Sequence, residues 1–187
     1  MTSIAFAQRL RDREPAALER FFELYFDRLY AFVRRSVGAE HLAEDLVQEV
    51  FLRIHRALPS YDPARALDPW VFRIAANRLR DYWRSREYRA TSRASQVEPS
   101  WFADHAPVAE DEPLSERDEI LVRLRAAVDG LPEVSRVVVQ LRGFEGLSFD
   151  SIARIVGRSE AAVRKRYSRA LAALRASLGG ARLPIPA

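Results

Sequence analysis

Near the C-terminus, four hydrogen-bond donors stand close together: Arg164, Lys165, Ser168 and Arg169. At helical spacing, about 100° per residue, they share one arc. The opposite stripe is Val163, Tyr167, Leu171, Leu174 and Leu178. Guanidinium groups make paired hydrogen bonds to phosphate and to guanine edges, so this arc has the chemistry to read a duplex. A second arginine-rich stretch, WVFRIAANRLRDYWRSREYR, runs from residue 70 to 89. Its outer arc holds Arg73, Asn77, Arg80, Asp81 and Arg84, and Trp70 and Trp83 lie in the same stretch. Arginines can track a phosphate backbone, an amide can hydrogen-bond an extruded base, and rings can stack on one. A third arc, Asp45, Gln48, Glu49 and Arg56, is polar except for Leu52 in its middle. An apolar side chain inside a polar face has the shape of a partner anchor.

Other chemistries are missing. The chain has no cysteine, which excludes disulfides, thiolate zinc sites, iron–sulfur clusters and thiol nucleophiles. His41, His55 and His105 form no close-spaced ligand pair. There is no GxxxxGK[ST] phosphate loop, no paired carboxylates in a glycine-framed pocket and no Ser/His/Asp set. The expectation is therefore no catalysis, no metal and no cofactor.

The net charge of +4 comes from 30 basic and 26 acidic groups, and Lys165 is the sole lysine. A GC-rich genome is the simplest reason for so much arginine. Residues 1–90 carry 16 basic and 13 acidic groups, residues 91–118 carry 2 and 7, and residues 119–187 carry 12 and 6. Two basic blocks thus flank an acidic strip, which suggests domains with charged partners. No run of about 18 apolar residues suits a membrane span. The opening MTSIAFAQRLRDRE lacks an apolar signal core, so a cytoplasmic location is expected.

These groups need elements to hold them, and the pattern is helical nearly throughout. With 187 residues, 48% of them hydrophobic, the chain suits one large or two small domains. Pro15 opens a helix that stops at Gly38, with Leu18, Phe21, Phe22, Tyr25, Leu29, Phe32 and Val33 as its buried face. A second helix, EHLAEDLVQEVFLRIHRAL, ends before Pro59, and Leu42, Ala43, Leu46, Val47, Val50, Phe51, Ile54 and Leu58 form its core stripe. The loop PSYDPARALDP leads to a helix from Trp70, with Val71, Ala75, Leu79 and Tyr82 inward and Trp83 bordering the core.

Between Thr91 and Ser115 the periodicity vanishes and Glu110, Asp111 and Glu112 cluster, which reads as an extended linker. Trp101 and Phe102 suggest that part of it docks. SERDEILVRLRAAVDGL restores the helical pattern, with Ser115 to Asp118 resembling a capping box. PEVSRVVVQLRGF follows. A short helix from Phe149 to Val156, a turn at Gly157 and a helix capped by Ser159 then have the form of a helix-turn-helix. The expected fold is all-α: two small helical domains joined by an extended acidic linker, the C-terminal one a helix-turn-helix.

Three stretches, EDLVQEVFLRIHRAL (44–58), DPWVFRIAANRLRDYWRSR (68–86) and LPEVSRVVVQLRGFEGLSFDSIARIVGRSEAAVRKRYSRALAALR (131–175), carry a family resemblance. In order and spacing the chain resembles bacterial sigma factors of the extracytoplasmic function (ECF) group of the sigma-70 family. It departs from the common pattern at Leu67, where an aromatic often precedes the tryptophan by three. It departs again at Ala161-Ala162, where Gly-Thr is common and a threonine hydroxyl is lost. No further C-terminal domain is expected.

The resemblance implies a region 2-like domain over residues 1–90, a linker over 91–118, a region 4-like domain over 119–180 and a tail over 181–187. It implies core RNA polymerase as the partner of Asp45, Gln48, Glu49, Leu52 and Arg56. Trp70, Arg73, Asn77, Arg80, Asp81, Trp83 and Arg84 would then hold the melted −10 strand. Arg164, Lys165, Ser168 and Arg169 would read the −35 duplex. The linker would thread the polymerase cleft, and an anti-sigma factor would clamp the free protein between its two domains. A stand-alone helix-turn-helix regulator with a helical sensing domain is the other reading; it would bind specific duplex without polymerase.

Overall fold

A computed structural model describes residues 4–85, 126–128 and 130–177. The chain divides into two compact units, and the described residues contain helix and no strand. The linker with its Glu110–Glu112 cluster, Trp101 and Phe102, the capping box at Ser115, Leu178 and the tail lie outside the described residues.

The first unit is built from α1 (Ile4–Arg11), α2 (Pro15–Val37), α3 (Glu40–Ala57) and α4 (Leu67–Arg84), with a 3₁₀ turn at Leu58–Ser60. Pro15 stands in the first turn of α2, where its missing N–H costs nothing. Gly38 ends the helix at φ 81°, its N–H donating to the Arg34 carbonyl. α2 packs on both α3 and α4. Phe32, Leu29, Val33, Leu46, Ile54, Val71, Phe72 and Leu79 are fully buried between them, and Phe32 meets Phe72 edge to face at 5.4 Å.

Three sequence expectations change here. Phe22 is not in the buried face of α2 but half exposed, as are Leu24 and Phe26; α2 carries more apolar side chains than one buried stripe can hold. Second, α4 begins at Leu67 rather than at Trp70. Pro69 lies within its first turn, where helix N–H groups have no partner to lose. Third, Trp83, expected at the border of the core and among the −10 strand contacts, is only 4% exposed.

A polar clamp fixes the start of α4. Asp68 accepts a very short hydrogen bond from the Tyr25 hydroxyl. It also accepts from both terminal nitrogens of Arg28 at 3.3 and 3.4 Å. The Arg28 guanidinium in turn lies 5.1 Å from the Tyr25 ring and 5.2 Å from Phe72.

The second unit is built from α5 (Glu133–Gly143), α6 (Phe149–Val156) and α7 (Glu160–Ser177), with Ala126–Val128 helical ahead of them. α5 is the central element, buried from Ser135 to Leu141. Ser148 caps α6 by accepting from the Ser151 N–H. The chain leaves α6 through Gly157 in the left-handed conformation (φ 66°, ψ 45°). Ser159 then caps α7, its hydroxyl accepting from the Ala162 N–H at 3.3 Å. Val163, Ala170 and Leu174 are the buried residues of α7. Ala170 and Leu174 pack with Leu131 and Val139, while Tyr167 and Leu171 lie half-buried against that cluster.

A Cβ at Gly157 would meet nothing within 4 Å, so only backbone conformation opposes substitution. Gly157→Ala should cost about 1–2 kcal/mol, and Gly157→Asn distinctly less, in urea unfolding of the full chain.

Candidate functional site

On α3 the expected arc is where its spacing placed it: Asp45, Gln48, Glu49, Leu52 and Arg56 are all exposed, Leu52 by 50%. Glu49 is not a loose carboxylate. It accepts from Arg78 of α4 at two points, 2.6 Å from Nε and 3.1 Å from Nη2. That hydrogen bonding holds its carboxyl below the usual range; burial opposes the shift and the charges of Arg78 and Arg53 assist it.

Sequence reasoning missed the neighbour of this arc. Phe51, assigned to the core stripe, is half-buried and lies 5.1 Å from Phe22 and 6.2 Å from Phe26. The α2–α3 seam is therefore an open apolar groove on both sides of Phe22 and Phe51. One side reaches Tyr30, Glu44 and Asp45, the other Leu18, Leu52 and Leu58. The signal was the excess of aromatics in FFELYF.

On α4, Arg73, Asn77, Asp81 and Arg84 are exposed and Arg80 is half-buried. Arg80 donates to the Asn77 side-chain oxygen at 3.1 Å, which leaves the amide NH₂ as the donor Asn77 offers outward. Asp81 pairs with Arg53 of α3 at 2.8 Å. Trp70 is half-buried against Tyr61, with ring centroids 4.7 Å apart. The Tyr61 hydroxyl donates to the Arg65 carbonyl. Burial, with the nearby charges of Asp62 and Asp68, pushes that phenol above its ordinary pKa. Trp83, buried, supports α4 from within.

On α7, Arg164, Lys165, Ser168 and Arg169 are all exposed on the side away from Val163, Ala170 and Leu174. Arg158 is also exposed, in the turn itself, and Arg154 on α6 is exposed beside Asp150 at 2.7 Å. Neither was singled out by sequence, although their position beside Gly157 was the available cue.

The family models match both units: Sigma-70 region 2 over residues 21–89 and Sigma-70, region 4 over residues 121–174. The RNA polymerase sigma factor CarQ of Myxococcus xanthus is 33% identical over 178 residues, 95% of this chain and 98% of that protein. The RNA polymerase sigma-H factor of Pseudomonas aeruginosa is 31% identical, over 89% of this chain and 91% of that protein. The chain belongs to the sigma-70 family, in its ECF group. The ECF RNA polymerase sigma factor SigF of Caulobacter vibrioides is likewise 33% identical, over 87% and 86%. Among solved structures, CnrH in complex with the cytosolic domain of CnrY matches with a TM-score of 0.69 at 25% identity, over 96% of this chain and 98% of that one. This sigma factor therefore acts in promoter-directed transcription initiation, with core RNA polymerase and promoter DNA as its partners. No helix among its described residues is long and apolar enough to cross a membrane.

The Glu49–Arg78 pair gives a pH signature. A lowered carboxyl pKa means stability that is present above the ordinary glutamate range and lost as pH falls through the lowered value. Glu49→Gln in the sigma factor should lower unfolding stability at pH 7 by up to about 1 kcal/mol, the range for a pair whose carboxylate is half exposed. The difference from the parent should begin to shrink near about pH 4, the unperturbed glutamate value, and vanish only below the lowered value. Thermal unfolding across that range checks it.

Proposed function

We propose that residues 1–90 bind core polymerase and open the −10 element, and that residues 119–180 dock on the −35 duplex. The observation that carries this reading is the exposed donor arc of α7, opposite a stripe that is buried. Recognition helices read base edges from their first turns, and Arg164, Lys165, Ser168 and Arg169 occupy that part of α7.

Asp45, Gln48, Leu52 and Arg56 are the proposed contacts to the polymerase, with Glu49 contributing through the pair it makes with Arg78. On α4, Arg73, Arg80 and Arg84 are assigned to the phosphates of the separated strand. Asn77 is assigned to an extruded base and half-buried Trp70 to stacking. Asp81, paired with Arg53, is a positioning group in this scheme. Trp83, buried, is withdrawn from the list of strand contacts and serves to hold the helix.

Opening a duplex costs a few kcal/mol per unstacked base, and contacts to the flipped base offset that cost. The sequence has no nucleotide-hydrolysis motif, so binding energy alone drives the opening and no chemical step belongs to this chain. The acidic linker is assigned to the polymerase cleft, where it mimics nucleic acid until nascent RNA displaces it. An anti-sigma factor is the proposed regulator, in keeping with the complex of CnrH with the CnrY cytosolic domain. The setting is the cytoplasm, where the polymerase works.

Run-off transcription with core polymerase tests the whole reading. Start sites should appear only when the sigma factor and core are both present; specific duplex binding without core would contradict it. Leu52→Asp combined with Gln48→Ala should weaken core binding about tenfold or more, as loss of an apolar anchor does, with helical content unchanged by circular dichroism. Reversing the charges of Glu110, Asp111 and Glu112 should change the abortive-product pattern more than promoter affinity. Unchanged abortive synthesis would refute the cleft assignment.

A further inference from the structure

Of the four donors on α7, one is held differently from the rest. Glu160 lies one turn before Arg164 and accepts from its Nε at 2.9 Å and from its Nη2 at 2.5 Å, both through the same oxygen. These two bonds occupy one long edge of the guanidinium. Its Cζ lies over the Phe149 ring, 4.6 Å from the centroid. Phe149 is itself fixed: Tyr167 meets it at 5.5 Å, and Arg142 lies 4.8 Å from the same ring while donating to the Leu147 carbonyl at 3.1 Å. Lys165 and Arg169, by contrast, are exposed and make no ion pair among the described residues.

We propose that Glu160 and Phe149 are positioning residues that make Arg164 the base reader of α7, with a guanine edge as its target, and that Lys165 and Arg169 bind phosphate. The inference rests on the placement of the −35 duplex on α7 proposed above. Two physical arguments support it. With its Nε–Nη2 edge on Glu160 and its Cζ over Phe149, Arg164 keeps the end of its fork, formed by the two terminal nitrogens. Two parallel donors at that end match the adjacent O6 and N7 acceptors of guanine in the major groove. Charge gives the second argument. The Glu160 carboxylate offsets the Arg164 charge and repels a phosphate, whereas a base edge is polar and uncharged. Unpaired Lys165 and Arg169 retain full charge, which is what neutralising a phosphate requires. The Glu160–Arg164 pair is largely exposed, with side chains 43% and 59% accessible, so its effect is on orientation more than on stability.

The test uses the full chain assembled with core polymerase and a promoter library randomised across the upstream element. Bound fragments are sequenced, and affinity for the selected promoter is measured against salt. Arg164→Ala is expected to erase a guanine preference at one position, roughly tenfold, while leaving the salt slope nearly unchanged. Phe149→Leu and Glu160→Gln should weaken the preference at that same position, and Phe149→Tyr should retain it. Glu160→Gln should also steepen the salt slope by about one, as the released guanidinium finds a phosphate. Lys165→Ala and Arg169→Ala should weaken all sequences alike and each flatten the slope by about one. Phe149→Leu should add nothing to Arg164→Ala.

The proposal is overturned if Arg164→Ala weakens all sequences alike, or if Phe149→Leu and Glu160→Gln both leave the preference intact. Should Phe149→Leu impair folding, Glu160→Gln at its half-exposed position decides the matter. If none of the three basic substitutions alters promoter binding, the duplex is not on α7. That outcome removes the underlying reading, with a signature of its own.

Discussion

Asp68 ties α4 to α2, and the orientation of the first unit's outward face follows from that tie. A helix can roll about its axis with little change in buried area when its neighbours are aliphatic. A carboxylate that accepts from both Tyr25 and Arg28 removes that freedom at the first turn of α4. The roll decides whether Asn77 and Arg73 face solvent or the core. It also sets Trp70, two residues after Asp68, against Tyr61. Such charge-assisted bonds are shorter and more directional than apolar contacts, which suits them to fix an angle.

Several arginines on or beside the candidate faces meet a carboxylate of the same unit: Arg78 meets Glu49, Arg53 meets Asp81, Arg154 meets Asp150 and Arg164 meets Glu160. Each such pair contributes little to stability in water. Together they hold long side chains in chosen poses and reduce the loss of side-chain freedom when a strand or a partner arrives. Among the described residues, some cations are thus matched by a carboxylate of their own unit while others, Lys165 and Arg169 among them, stand exposed.

Local chemistry was the legible part of the sequence. Pro15, Gly38, Gly157 and Ser159 set helix ends through their own backbone and side-chain requirements, so these ends were legible in the sequence, whereas the Ser148 cap was not singled out. The arcs of α3 and α7 were legible too, because each has one continuous apolar stripe. What failed depended on distant partners. The helical angle of Trp83 placed it at a border, and only the packing around that end of α4 decides that it is buried. Phe22 has core-like spacing, yet among the described residues it stays 50% exposed beside Phe51. Pro69 was read as part of the loop, yet a proline disturbs a helix from inside and not in its first turn, where α4 holds it. The Glu160–Arg164 pair lies at a spacing of four and is visible in the sequence. Arg78 and Glu49 stand 29 residues apart and are brought together only by the fold.

Lys165 carries the only side-chain amine in the chain, and it stands exposed on α7 beside Arg164. Any chemistry aimed at lysine, whether enzymatic acylation or laboratory amine coupling, therefore strikes the proposed duplex face. Acylation there would subtract one positive charge from that face while leaving every other basic side chain untouched. A fluorophore coupled to that amine would report on the groove environment. A chain immobilised through it would have its DNA-binding surface turned toward the support.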